Sequence, residues 1–303
     1  MSTAAIVVTY FPDEALLIRL LSCICSEAEK VYVIDNTPAA TIDWLASDWF
    51  IKKKFKVLYK SLGENLGIAK AQNVGINFSK RDGCDHIIFF DQDSAPPEQM
   101  IQRLLKAESK LLANAVKVGS IGPIFIDEKT KRYAPVIRNN GIYIKKIEVK
   151  PHEGDPVAAD HLIASGSLIR LVVLEEVGLM NEDFFIDWVD IEWGLRAGDL
   201  GYMHYVIPDT VMLHSIGDQF IPFGKQVINL HNDIRNYYII RNACNLLSSK
   251  FINWQWRLYI FFKIPRYVIF YSITTLSKKR PTAFILLLRA CADGFKGRLG
   301  KAF

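Results

Sequence analysis

Residues 4–9, Ala-Ala-Ile-Val-Val-Thr, are apolar or β-branched without alternation, the pattern of a strand buried on both faces. The period then changes. Leu16, Leu17, Leu20 and Leu21 recur at the spacing of one helix face within residues 12–25. A second strand is predicted at 30–34, and it stops at the turn cluster Asp35, Asn36, Thr37, Pro38. A third short strand follows at 56–59, a helix at 68–79 opened by the glycine-bearing stretch 63–67, and a fourth strand at 86–90. A helix at 98–112 and a strand near 118–121 continue the alternation. Strands alternating with helices predict an α/β fold with a mostly parallel central sheet and flanking helices.

Residues 124–163 break this rhythm with isolated β-type runs among Pro and Gly, as expected of hairpins and loops added to one edge. Helices are predicted at 168–177 and 191–200, and a strand at 206–213. No period of 20 to 50 residues recurs, which argues against a solenoid. The expected division is a catalytic domain at 1–245, in halves 1–123 and 124–245, and a helical tail at 246–303.

The tail changes the picture. From Lys250 to the end there are eleven basic residues against one acid, Asp293, so the rest of the chain is net acidic within an overall charge of +5. Aromatics crowd the same stretch. The run 258–276 reaches 19 residues, but Lys263, Pro265 and Arg266 near its middle are costly at a bilayer centre. Peripheral helices lying on an anionic membrane surface, with snorkelling basic residues, are therefore expected. The competing expectation is that these aromatics pack as ordinary core. The aliphatic run 284–288 among the cations suits lipid better than a phosphate backbone, so no nucleic acid is expected as partner.

With 303 residues, half of them hydrophobic and 23% charged, the chain supports a sizeable core, which excludes disordered, collagen-like and disulfide-scaffold classes. Five scattered cysteines without C-x-x-C signal neither a disulfide framework nor a zinc site. The start has no basic segment and no small-residue cleavage site, so the expectation is a protein that is not exported.

The chemistry gathers where strands end. Asp91-Gln92-Asp93 follows the apolar strand at 86–90 directly, and in open α/β sheets ligands bind beyond the carboxyl ends of strands. Two hard carboxylates there suit Mg²⁺ or Mn²⁺ carrying a substrate diphosphate. Thr9 and Tyr10 after the first strand, Asp35 and Asn36 after the second, and the stretch from Asn65 to Asn73 complete a polar pocket on one edge. The loop after the first strand has no glycine, so neither a dinucleotide fingerprint nor a P-loop is present, and a metal must meet the charge of any bound phosphate.

Taken together, 6–10 (Ile-Val-Val-Thr-Tyr), 33–36 (Val-Ile-Asp-Asn), 65–75 (Asn-Leu-Gly-Ile-Ala-Lys-Ala-Gln-Asn-Val-Gly) and 89–94 (Phe-Phe-Asp-Gln-Asp-Ser) resemble family 2 glycosyltransferases of the GT-A fold. Within that family the chain most resembles bacterial rhamnosyltransferases that build O-antigen and other surface polysaccharides, over roughly residues 4–245. The resemblance implies that Thr9, Tyr10, Asp35 and Asn36 surround the nucleotide, the Asp35 carboxylate accepting from a pyrimidine N3–H. Lys70 and Asn73 would lie beside base or sugar, and Gln92 with the nucleotide sugar. Asp93 would ligate the metal directly, with Asp91 nearer the ribose or a metal-bound water.

A second constellation spans 184–196, where carboxylates stand among aromatics at the predicted start of a helix. Partial burial there would raise a carboxylate's pKa toward the range where it works as a base. The resemblance places the catalytic base at Asp190. Val189 replaces the first acid of the usual pair, which leaves Asp187 and Glu192 as rivals, and Asp190 as a helix cap is an alternative role. Ser165 and Gly166, with Trp188, resemble the acceptor side. His214 resembles the element that completes the metal or diphosphate site. Arg235 and Arg241 resemble a phosphate-facing helix, one meeting phosphate and the other solvated.

These implications define an inverting, metal-dependent glycosyltransferase. It would move L-rhamnose from dTDP-L-rhamnose onto a lipid-linked oligosaccharide, bound peripherally at the cytoplasmic face of the inner membrane. The alternatives are another UDP- or dTDP-sugar donor, a nucleotidyltransferase of similar fold whose glycine-rich loop is missing from this chain, and a non-catalytic protein that binds membrane or nucleic acid through the tail.

Overall fold

A computed structural model describes residues 1–38, 48–53, 55–127, 131–152, 154–214, 219–223, 226–230, 232–277 and 281–303. Its centre is an eight-stranded sheet. The strands are β1 (Thr3–Thr9), β2 (Lys30–Asp35), β3 (Val57–Ser61), β4 (His86–Asp91), β5 (Val118–Asp127), β8 (Val157–Ala159), β9 (Leu168–Arg170) and β10 (Met203–His214), ordered β3-β2-β1-β4-β9-β5-β10-β8. β1 to β4 run parallel, as does the β5–β10 pair, while β9 is antiparallel to both its neighbours. Between β5 and β8 lies a separate hairpin, β6 (Val136–Asn139) with β7 (Ile144–Ile147), in the stretch expected to hold hairpins.

Helices cover both faces because the strands are apolar on both. Helix α1 (Glu14–Glu27) starts where Asp13 accepts the Leu16 N–H at 3.0 Å, and it buries Leu17, Leu20, Leu21 and Ile24 against one face of β1 and β2. The short α2 (Asp48–Lys53) leads into β3. Helix α3 (Ile68–Arg81) buries Ala69 and Ile76 on the opposite face, and α4 (Met100–Ala113) joins the α1 side through Ile101 and Leu104. Each such large side chain, fully buried, contributes about 1.5–3 kcal/mol.

The expected helix at 168–177 is a strand followed by a helix: β9, then α5 (Leu171–Val177). The strand passes straight into the helix with Arg170 ending the one and capping the other, and the apolar residues on both sides of it read as one run. Helix α6 (Val189–Asp199) follows, and α7 (Asp233–Leu246) precedes the tail.

The tail forms α8 (Trp254–Ser277), which continues through Pro265, and α9 (Pro281–Phe295). It is part of the core. Trp256 and Ile260 join the cluster under the sheet, while Tyr271, Leu287 and Ala290 pack with Tyr237, Tyr238 and Cys244 of α7. Polar ties reinforce this packing: the Trp256 indole N–H donates to Asp160 at 2.6 Å and the Tyr267 hydroxyl to Asn236 at 2.7 Å. The outer face leaves Leu258, Phe261, Phe262, Ile269, Ile273, Ile285 and Leu288 exposed. Among the described residues no helix is long and apolar enough to cross a membrane.

Candidate active site

The parallel register brings Thr9, Asp35 and Asp91 to one edge, since Thr9 pairs with Asp35 and Val8 with Asp91. Asp35 is fully buried there. Its Oδ1 accepts the Thr9 hydroxyl at 3.0 Å and the Thr37 N–H and hydroxyl at 3.0 and 2.7 Å, and its Oδ2 accepts the Tyr59 hydroxyl at 2.7 Å. Burial, and then the Asp35 carboxylate, push the Tyr59 phenol pKa up. In this arrangement both oxygens of Asp35, the residue expected to accept from a nucleobase N–H, bind protein donors, and the residue has no exposed surface.

Asn36 is similarly committed. Its side chain donates to the Gly67 carbonyl at 3.0 Å and accepts the Leu66 N–H at 3.1 Å, pinning the Asn-Leu-Gly stretch. Gly67 has φ +87, and a Cβ there would meet the Phe185 carbonyl oxygen at 2.5 Å, so only glycine lets α3 start this close to the loop before α6. Asn73 is buried and binds Met180 and Glu182 rather than facing a ligand; its amide donates to the Met180 carbonyl and the Glu182 carboxylate at 2.9 Å each. Lys70 pairs with Glu182 at 2.8 Å. In this arrangement the α3 side chains expected beside base or sugar hold the 180–184 segment.

Accessible groups lie at the rim. Tyr10 is exposed, and Gln92 holds its backbone, accepting from the N–H at 2.7 Å and donating to the carbonyl at 3.2 Å. Asp91 is half-buried and Asp93 is exposed. Beneath them Ser165 ties the loop to β4: its Oγ accepts the Asp91 N–H at 3.3 Å and shares a hydrogen bond with the Ser94 hydroxyl at 2.7 Å. Gly166, at φ +75, donates its N–H to Phe89 O at 2.7 Å, and a Cβ would press on Met100 and Pro123 at 3.0 Å.

The next residue back, Ala164, donates its N–H to Asp190 Oδ2 at 3.2 Å, while Oδ1 accepts the Ile191 N–H at 2.8 Å. Asp190 is not the helix cap, since Trp188 occupies that position and Asp190 lies in the first turn of α6. Burial pushes its pKa up to about 6 despite these two backbone donors, with the nearby Asp187 charge adding to the rise. A cavity of about 10 Å³, close to the size of one water, lies against it, lined by Gln72, Ser120 and His204 among others.

The rivals are paired with cations. Asp187 accepts from Arg235 at 3.1 to 3.3 Å, and Glu192 is bound in a fork by Arg196 at 2.9 and 3.0 Å. The solvent-or-phosphate expectation for the α7 arginines is corrected accordingly: Arg235 meets Asp187, and Arg241 is fully buried. Arg241 stacks over Tyr238 at 4.7 Å and donates to the carbonyls of Asp183, Phe184 and Gly300.

Between those carbonyls and α6 the backbone is strained. Phe185, Asp187 and Trp188 have φ of +64, +62 and +65, each costing about 1–3 kcal/mol in a non-glycine residue. Asn242 holds the loop, its amide donating to the carbonyls of Phe184, Ile186 and Asp187 at 2.9, 2.9 and 3.0 Å. The sequence carries no visible signal for Asn242, Tyr59 or Thr37, because their partners are set by tertiary contacts.

Against this geometry, the Glycosyl transferase family 2 profile matches residues 5–177, more than half of the chain. The chain belongs to glycosyl transferase family 2. The glycosyltransferase is 37% identical over 254 residues to the dTDP-rhamnosyl transferase RfbF of Shigella flexneri, covering 82% of this chain and 80% of that one. Its fold is that of S. aureus TarS 1–349 in complex with UDP-GlcNAc (TM-score 0.60, 13% identity, 97% of this chain and 82% of that one). It is also that of the mannosyltransferase PcManGT from Pyrobaculum calidifontis in complex with GDP-Man and Mn²⁺ (TM-score 0.54, 14% identity, 96% and 74%). The sheet is thus the GT-A arrangement expected from the sequence.

Among the described residues of the enzyme, no three His, Cys, Asp or Glu side chains converge as a ready-made metal site. The His214 side chain lies outside them. Its strand end is close to the acidic pair, since Leu213 bridges to Ala95 and His214 pairs in register with Asp127. The donor set fits a divalent cation, because Mg²⁺ and its like take one or two carboxylates and complete the shell with water and substrate phosphates. An exposed Asp93 beside a half-buried Asp91 offers that.

Proposed function

We propose that the enzyme transfers L-rhamnose from dTDP-L-rhamnose, with inversion, to a lipid-linked oligosaccharide in the assembly of a surface polysaccharide such as O-antigen. The donor reading is supported by the similarity to the dTDP-rhamnosyl transferase RfbF. The mechanism rests on one observation: Asp190 is the carboxylate of the 184–196 segment with raised pKa and, among the described residues, no cation partner, hydrogen-bonded to the loop that also holds Asp91.

Inversion needs one displacement and one base. Asp190 takes the proton of the acceptor hydroxyl as that oxygen attacks the anomeric carbon, and the bond to the nucleoside diphosphate breaks on the opposite face. Asp91 and Asp93, with His214, would hold Mg²⁺ or Mn²⁺, which supplies electrostatic stabilisation of the departing diphosphate. Ser165 fixes the acidic loop, and Ala164 fixes the base, so donor and acceptor sites share one rigid connection. Tyr10 and Gln92 line the nucleotide side.

We place the enzyme peripherally at the cytoplasmic face of the inner membrane. The basic tail and the exposed apolar side chains of α8 and α9 support that reading. The test is turnover with dTDP-L-rhamnose, UDP-GlcNAc, UDP-glucose and GDP-mannose, each with Mg²⁺, Mn²⁺ or chelator. Turnover of dTDP-L-rhamnose well above the others and lost on chelation supports the proposal. Preference for another donor, or full activity in chelator, contradicts it.

A further inference from the structure

Helix α8 places Tyr259 and Lys263 one turn apart on a single face. The Lys263 ammonium lies 5.1 Å from the centre of the Trp188 indole and 5.6 Å from that of the Tyr259 ring, in the range of cation–π attraction. Trp188 caps α6 two residues before Asp190, so this tail lysine reaches the threshold of the proposed base. Lys146 of β7, a strand that packs against α8, is near enough to repel Lys263, and Arg266 acts on the Tyr259 phenol from the same helix.

Among the described residues, neither Lys263 nor Lys146 forms a salt bridge. The acid that follows β8, Asp160, accepts the Trp256 indole N–H at 2.6 Å and the Asn139 N–H at 2.8 Å. Two neighbouring cations that have no salt-bridge partner among the described residues repel one another, and an anion between them relieves that repulsion. None of these side chains belongs to the elements that carry Asp91 and Asp93.

We propose that Lys263, set over Trp188 and Tyr259, and Lys146 beside it form a subsite for a phosphate-bearing group on the acceptor, near Asp190. The assignment deepens the proposed function and rests on its reading of the Asp190 side as the acceptor side. A phosphate there draws the acceptor down on Trp188 and presents its sugar hydroxyl to the base. The same chemistry could come from a membrane phospholipid, so the test separates the two sources.

The probe is geranyl diphosphate, with geraniol as its uncharged counterpart, titrated by tryptophan fluorescence in chelator and saturating dTDP so that the donor site is filled. Lys263→Gln and Lys146→Gln should each weaken geranyl diphosphate binding about tenfold, the worth of one charge-assisted contact. Lys263→Arg should restore it, geraniol should bind no better to wild type than to either variant, and dTDP affinity should not move. The proposal is overturned if wild type does not bind geranyl diphosphate or if both Gln variants bind it like wild type. It is equally overturned if the Gln variants lose affinity only for phosphatidylglycerol vesicles. Unchanged dTDP binding separates these failures from failure of the glycosyltransferase reading itself.

Discussion

Asp190 accepts the backbone N–H of Ala164 at 3.2 Å, and the adjacent Ser165 accepts the N–H of Asp91 at 3.3 Å. Two residues of one loop thus connect the proposed base to the acidic pair, and a shift of either side is felt by the other. In the proposed mechanism this would fix the distance between donor and acceptor sites, a condition for a single displacement.

A base with pKa about 6 is charged above that value and protonated below it. The logarithm of kcat/KM should therefore fall with slope one as pH drops through about 6, with donor affinity measured separately at each pH. A rate that is flat down to pH 4.5 contradicts an Asp190 base.

Asp93 is exposed, so Asp93→Asn leaves packing untouched while removing one negative charge from the proposed metal site. Melting temperature should stay within about a degree, as for surface substitutions away from packed features. Donor turnover should fall steeply and recover in part at high Mn²⁺. Loss of turnover with no dependence on metal concentration would place Asp93 elsewhere in the mechanism.

Much of this site is legible in the chain because it sits where strands end. The apolar runs leading to Thr9, Asp35 and Asp91 specify parallel neighbours, and parallel neighbours bring those residues to one edge. What the residues do there is less legible. Asp35, Asn36 and Asn73 are polar residues in the right places, yet their side chains bind protein groups, a choice made by Tyr59, Leu66 and Met180 that no local pattern encodes. The strained turn at Phe185, Asp187 and Trp188 is invisible for the same reason: it has no glycine and is held by Asn242 from 55 or more residues away. The tail reads as basic, aromatic helices, but which of their side chains pack as core depends on where α7 lies.

Asn242→Ala should leave the Ile186 and Asp187 carbonyls without the Asn242 amide and let that turn relax. Loss of about 1–3 kcal/mol is expected for such a buried polar deletion, a few degrees in melting temperature. The proposed base moves with the turn, so transfer should fall by more than the stability loss explains. Calorimetry and rates measured well below the melting transition separate the two effects.

Phe261 and Phe262 are exposed on α8, away from the core contacts of Trp256 and Ile260. Replacing both by Ser should weaken flotation with anionic vesicles and leave melting unchanged, and salt should weaken wild-type binding further. Truncation before residue 253 should instead expose the partners of Trp256 and Tyr271 and give insoluble protein. A soluble, active truncated enzyme would show that α8 and α9 are dispensable to the core.

The most direct measurement is transfer by Asp190→Asn, with Asp187→Asn and Glu192→Gln beside it and dTDP-sugar affinity determined for all three by calorimetry. A general base is worth roughly 10²- to 10⁴-fold, so Asp190→Asn should lose that much in kcat while binding donor like wild type. Glu192→Gln should act mainly on stability through the lost fork with Arg196. If Asp190→Asn keeps near wild-type turnover and Asp187→Asn abolishes it with donor affinity intact, the base is Asp187 and the role assigned to Asp190 is wrong.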